Sequence, residues 1–141
     1  MRSLAARLAL GASLLAAAWQ FVTVQVNYGG NASGLFCVGD RTGLPAELRP
    51  STYVFPSSDG YDGAWYRLIA RDPFFQKGYA SVMDDARLRY RRGLLPVLAW
   101  AVALGSAQRI DLAYIVLTHL FLMLGVYATA RLCELQALNM I

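Results

Sequence analysis

Carboxylates and arginines are the reactive groups this chain has to offer. Its 141 residues hold nine acidic and thirteen basic side chains, but one histidine and two cysteines. They gather in Ser57–Trp100, SSDGYDGAWYRLIARDPFFQKGYASVMDDARLRYRRGLLPVLAW. Asp59, Asp62, Asp84 and Asp85 fall there, with Arg87, Arg89, Arg91 and Arg92 close behind. Asp84-Asp85 with Asp59 would suit a divalent ion only with further ligands, so a solvated loop or helix cap is the plainer account. Asp62 has an equally plain reading as a helix N-cap, and Asp59-Gly60 as a turn. A single histidine excludes a His-based metal centre, and neither a Gly-rich phosphate loop nor zinc spacing is present. No metal or cofactor is expected. Cys37 and Cys133 are too few for a disulfide scaffold.

Hydrophobicity sets what must hold these groups. The chain is 57% hydrophobic and 16% charged, with a mean hydropathy of +0.39. A small soluble domain needs more polar cover, and a disordered chain has less to bury. No charge occurs from Leu8 to Gly39, and Leu8–Val26 is almost continuously apolar. As a helix that stretch rises about 28 Å, close to the hydrocarbon thickness of a bilayer. Leu112–Ala130 is a second charge-free span. Between them Gly93–Ala107 is apolar but short, a crossing only if Arg89, Arg91 and Arg92 extend the helix and snorkel. Pro96 is tolerable in its first turns. His119 lies mid-way along the last span, where an ionisable group faces the protein interior as a hydrogen-bonded partner of another helix. The expected fold is an all-α membrane protein with three transmembrane helices. The second is short, and a large, partly helical loop lies between the first and second.

The organisation that follows is residues 1–26 as cytoplasmic end and first helix, 27–92 as the loop, 93–107 and 112–132 as the remaining spans, and 133–141 as a tail. Arg2, Arg7 and the small run Ala16–Ala18 also fit a cleavable signal peptide. Against that, the apolar stretch continues beyond an ordinary signal core through Val26. The loop holds 7 of the 9 acidic, 9 of the 13 basic and 11 of the 17 aromatic residues, so it is a functional or folded unit rather than a linker. Arg2 and Arg7 favour a cytoplasmic N-terminus and an extracytoplasmic loop; Arg87–Arg92 pull the other way, although long loops obey the charge rule poorly. Within the loop, Trp65, Tyr66, Ile69 and Phe74 fall near one helical face while Arg67 and Arg71 stand four apart. Asp72-Pro73 ends that pattern. An interfacial helix near 62–72 is expected, aromatics on one side and arginines on the other.

The order Tyr61-Asp62-Gly63-x-Trp65-Tyr66-x-x-Ile69-Ala70, then Arg89-Tyr90-Arg91-Arg92-x-x-x-Pro96, resembles the start of multi-spanning type C glycosyltransferases. It is most similar to bacterial membrane proteins of cell-surface glycopolymer formation, and more distantly to the GPI mannosyltransferases with a Trp-Asp-Gly motif. The resemblance implies a bacterial cytoplasmic membrane, several crossings, and a polyprenyl-phosphate sugar as donor. It further implies that Asp62 is the catalytic acidic residue, a general base taking the acceptor hydroxyl's proton. The leaving lipid phosphate then needs cationic donors, and Arg89 and Arg92, three apart on one helix face, are the candidates. Asp59, Arg91, Tyr61 and Trp65 are secondary candidates. For those arginines, snorkelling at a helix end remains the competing account.

Members of that superfamily carry eight or more membrane helices, so this chain by itself is expected to be inactive. It is read as the front part of a longer enzyme, or as needing a membrane partner to complete the site. The alternative is a small non-catalytic membrane protein whose structured external loop serves assembly or binding. Nucleic acid is disfavoured as a partner, because the net charge of +4 is modest and its arginines collect beside an apolar helix.

Overall fold

The computed structural model describes residues 4–138. The chain is mostly helical. Helices α1 (Leu4–Asn27) and α5 (Ile110–Leu138) frame a stretch holding strands β1 (Val38–Gly39) and β2 (Val54–Phe55) and helices α2 (Asp62–Arg71), α3 (Ala86–Tyr90) and α4 (Leu94–Val102). Short 3-10 turns cover Ala32–Phe36, Ala46–Ser51 and Tyr79–Val82. Two units result, one from residues 1–22 and 116–141, the other from residues 23–115.

In the first unit α1 and α5 run antiparallel. The Ala5 N–H donates to Glu134 Oε1 at 3.2 Å, and His119 Nε2 meets Gln20 Oε1 at 3.0 Å. Arg131 pairs with Glu134 at 2.5 Å. Both helices are long and apolar enough to cross a membrane, and large side chains such as Leu15, Trp19, Phe121 and Leu124 are exposed on them. A helix apolar around its whole girth and left uncovered suits lipid, not water. His119 is held by the other helix of this unit.

The second unit folds around α2. Leu68, Ile69 and Ala70 are fully buried there, joined by Phe36, Val38, Leu48, Ala99 and Ile110. β1 and β2 pair in parallel, Val38 opposite Val54 and Gly39 opposite Phe55. The α2 helix stops at Arg71. Asp72 then turns its carboxylate onto the N–H groups of Gln76, Lys77 and Tyr79 at 2.5, 3.0 and 3.3 Å, which fixes the chain after Pro73.

Three expectations change. The crossing expected over 93–107 is the nine-residue α4, about 13 Å long and too short for a bilayer. Leu104 and Gly105, both with positive φ, end the run. The arginine face of α2 is not at a surface: Arg67 and Arg71 are 1% and 5% exposed, because an acceptor waits for them inside. Arg89 and Arg92 do not share a helix face, since α3 ends at Tyr90 and Arg92 lies beyond it.

Candidate functional site

A cleft of about 500 Å³ opens in the second unit, lined among others by Arg41, Asp59, Tyr61, Asp62, Trp65, Asp84 and Arg89. Its first wall is built by the turns after the two strands. Asp40 follows β1 directly, and its carboxylate accepts the N–H groups of Ser57 and Ser58 at 2.8 and 3.0 Å. Those backbone donors hold the Asp40 carboxyl below its ordinary range. Thr42 Oγ1 accepts from the Gly39 N–H at 3.1 Å and donates to the Asp59 carbonyl at 3.0 Å. Gly39 is obligatory here, because a Cβ would run into the backbone of Ser58 and Gly60. Gly60 at φ 71 then turns the chain into α2, leaving Tyr61 exposed and Asp62 at the helix start.

Asp62 is the first residue of α2, one place past the N-cap position held by Tyr61. It turns to Arg89 Nη1 at 2.6 Å. Arg89 is the hub, for it also gives Nε and Nη2 to Asp84 at 3.1 and 2.8 Å. The guanidinium is 14% exposed, whereas Asp62 and Asp84 are each just over half exposed. The Asp84 bond, then the Asp62 bond, push Arg89 further up from its already high value, and the same contact with Arg89 lowers Asp84. Asp85 caps α3 by accepting the Leu88 N–H at 3.0 Å. Arg41 reaches Asp59 at 3.8 Å, a loose and solvated pair.

Asp59, Tyr61, Asp62, Trp65 and Arg89 thus share one cleft, although Asp62 and Arg89 are 27 positions apart in the chain. Arg91 and Arg92 are exposed and outside the lining. Arg41 and Asp84 join the site, and nothing in the spacing marks Arg41, which arrives only through the parallel strand pairing. Asp84 spends its carboxylate on Arg89, and no group of three metal-ligating side chains occurs among the described residues. With three carboxylates and two guanidiniums in its lining, the cleft is slightly acidic. Its paired charges and the half-buried Trp65 suit a neutral, hydroxyl-rich ligand better than a bare phosphate.

A second polar cluster lies under α2. Arg67 gives Nε and Nη2 to the two oxygens of Asp111, both at 2.8 Å, and Nη1 to Thr52 Oγ1 at 2.8 Å. Arg71 reaches the same Asp111 at 3.0 Å and the Ala107 carbonyl at 3.3 Å. Its Nε is buried without a partner among the described residues, and burial lowers the guanidinium's pKa. The sequence signal was available: an acidic residue opening an apolar span marks a buried partner, and arginines four apart share a face.

Comparisons with protein-family models, with curated proteins and with solved structures found no match.

Proposed function

We propose that this chain is the N-terminal portion of an integral membrane glycosyltransferase of type C, taking a sugar from a lipid-phosphate donor for cell-surface glycan assembly in a bacterial cytoplasmic membrane. The observation that supports it is the convergence of Asp62, Tyr61, Trp65 and Arg89 on one open cleft. In that reading Asp62 takes the proton of the acceptor hydroxyl as its oxygen attacks the anomeric carbon. The bond from that carbon to the donor phosphate breaks, and the phosphate leaves with the electron pair. Arg89 orients Asp62 by holding Oδ1, so the oxygen available to the hydroxyl is Oδ2. Because Arg89 already carries two carboxylates, it acts as a positioning residue more than as a phosphate clamp. The donor phosphate would rest on Arg91 and Arg92, outside the cleft, and a membrane partner or further helices would complete the acceptor side.

Arg89's double pairing also favours a second reading, a non-catalytic membrane protein whose external loop is stapled by Asp62–Arg89–Asp84. Ligand binding separates the two. The full chain in nanodiscs is titrated with a short-chain polyprenyl-phosphate sugar while Trp65 fluorescence is followed, in a background with Trp19 and Trp100 replaced by Phe. Saturable quenching, competed by the free sugar and weakened by replacing Arg91 and Arg92 with Ala, supports the transferase reading. A flat response from protein with wild-type helix content refutes it and leaves the stapled loop.

A further inference from the structure

The nine-residue α4 replaces an expected crossing, and its surface divides by helical position. Pro96 and Ala99, with Ala103 just past the helix end, are buried, whereas Leu94, Val97, Ala101 and Val102 are exposed, as is Leu104 in the turn that follows. Leu94 and Leu104, at the two ends, are 76% and 82% exposed. Such a stripe in a short helix is costly in water and fits a medium that is apolar on one side.

Charge says which medium. From Ala86 to Ile110 the chain has no acidic residue. The exposed Arg91 and Arg92 stand immediately before α4, and the exposed Arg109 stands after it, so guanidiniums bracket the apolar stripe. Trp100 packs edge-on to Phe74 at 5.1 Å, an amphipathic ring of the kind enriched where lipid meets water. The tether is also short. Seven residues join Val102 to Ile110, where α5 begins, and fully extended they span at most about 25 Å. With Leu104 and Gly105 turned into positive φ, the real reach is less.

We propose that α4 lies in the plane of a phospholipid surface, its Leu94, Val97, Ala101 and Val102 stripe and the Leu104 side chain of the following turn sunk below the headgroups, and Arg91, Arg92 and Arg109 on their phosphates. This rests on reading α1 and α5 as membrane spans.

The test uses the full chain in phospholipid nanodiscs with Cys37 and Cys133 changed to Ser. Spin labels are placed singly through Leu94→Cys, Val97→Cys, Leu104→Cys and, on α5, Phe121→Cys. Collision with oxygen is compared with collision with a water-soluble nickel chelate, and only variants with wild-type circular dichroism are scored. The expected result is severalfold preference for oxygen at all three α4 sites, at one shared depth of about 5–10 Å, with Phe121 deeper. Depth increasing steadily from Leu94 to Leu104 would make α4 a crossing element and overturn the proposal. Nickel preference at the α4 sites with Phe121 still deep overturns it while leaving the spans intact. Protection from both agents means that protein covers the stripe, again overturning it. Nickel preference at Phe121 as well sinks the membrane reading itself.

Discussion

Asp111 is the residue whose replacement should cost the second unit most. It is the shared acceptor for Arg67 and Arg71, both almost completely buried. Asp111→Asn keeps the shape, removes the charge and turns an amide donor toward guanidinium donors. Removing one partner of a buried ion pair typically costs about 3–5 kcal/mol, a large part of the total stability of about 5–15 kcal/mol of an ordinary domain. The two arginines should then rank by their bonds. Arg67 makes three contacts of 2.8 Å, so Arg67→Met should cost about 3 kcal/mol. Arg71 makes contacts of 3.0, 3.3 and 3.4 Å and leaves Nε unsatisfied. Arg71→Met should cost about 1–2 kcal/mol, near the range for ordinary charged hydrogen bonds. Replacing all three by Met, Met and Leu should recover most of the loss, because no buried charge is left without a partner. Equilibrium unfolding in bicelles, read by Trp65 fluorescence, gives the series. A loss below about 1 kcal/mol for Asp111→Asn is what a solvent-screened pair would show, and it would refute the buried network.

The other predictions concern the cleft. Asp62→Asn should change stability by less than about 1 kcal/mol, because Asp62 is half exposed and Arg89 keeps Asp84. Under the proposed transferase reading it should nevertheless abolish surface glycopolymer at unchanged protein level, as measured by polymer staining beside an immunoblot; unchanged polymer would refute that reading. Asp84 is held low by Arg89, so its contribution is present above the unfolded carboxyl value and disappears as pH falls through the folded one. The stability gap between wild type and Asp84→Asn should therefore be full above about pH 5 and shrink below about pH 4 in unfolding curves. Gly39→Ala should cost about 1–3 kcal/mol through backbone overlap and abolish ligand binding in the cleft. Gly125→Ala, with open space around it, should be neutral or slightly stabilising by the same unfolding measurement.

How far the residues announced this arrangement differs from element to element. The two long helices are carried by unbroken apolar stretches, a signal that needs no tertiary context. Pro73 closes α2 through chemistry local to that end, whereas Asp62 at its start spends its carboxylate on the distant Arg89. α4 is not distinguishable from a crossing by sequence, because apolar content fixes burial or lipid contact but not direction, and the break at Leu104 is a leucine in a conformation favoured by glycine, followed by a glycine that does the same. The inward turn of Arg67 and Arg71 is not legible in the sequence, because an amphipathic pattern says which residues share a face, not what waits opposite. Their acceptor, Asp111, lies 44 residues further on. The cleft was half visible for the same reason. Tyr61, Asp62 and Trp65 are neighbours in sequence, whereas Arg41 enters through strand pairing and Asp84 through Arg89.

That separation has a consequence in time. While the chain is being made, Arg67 and Arg71 emerge before the aspartate that neutralises them. At synthesis rates of about 5–20 residues per second the interval is roughly 2–9 s. During it the core of the second unit cannot close without enclosing unpaired charge. Closure therefore waits for the first turn of α5, so the second unit is completed only once that helix has begun, and a chain interrupted before Asp111 leaves its two buried arginines without their acceptor.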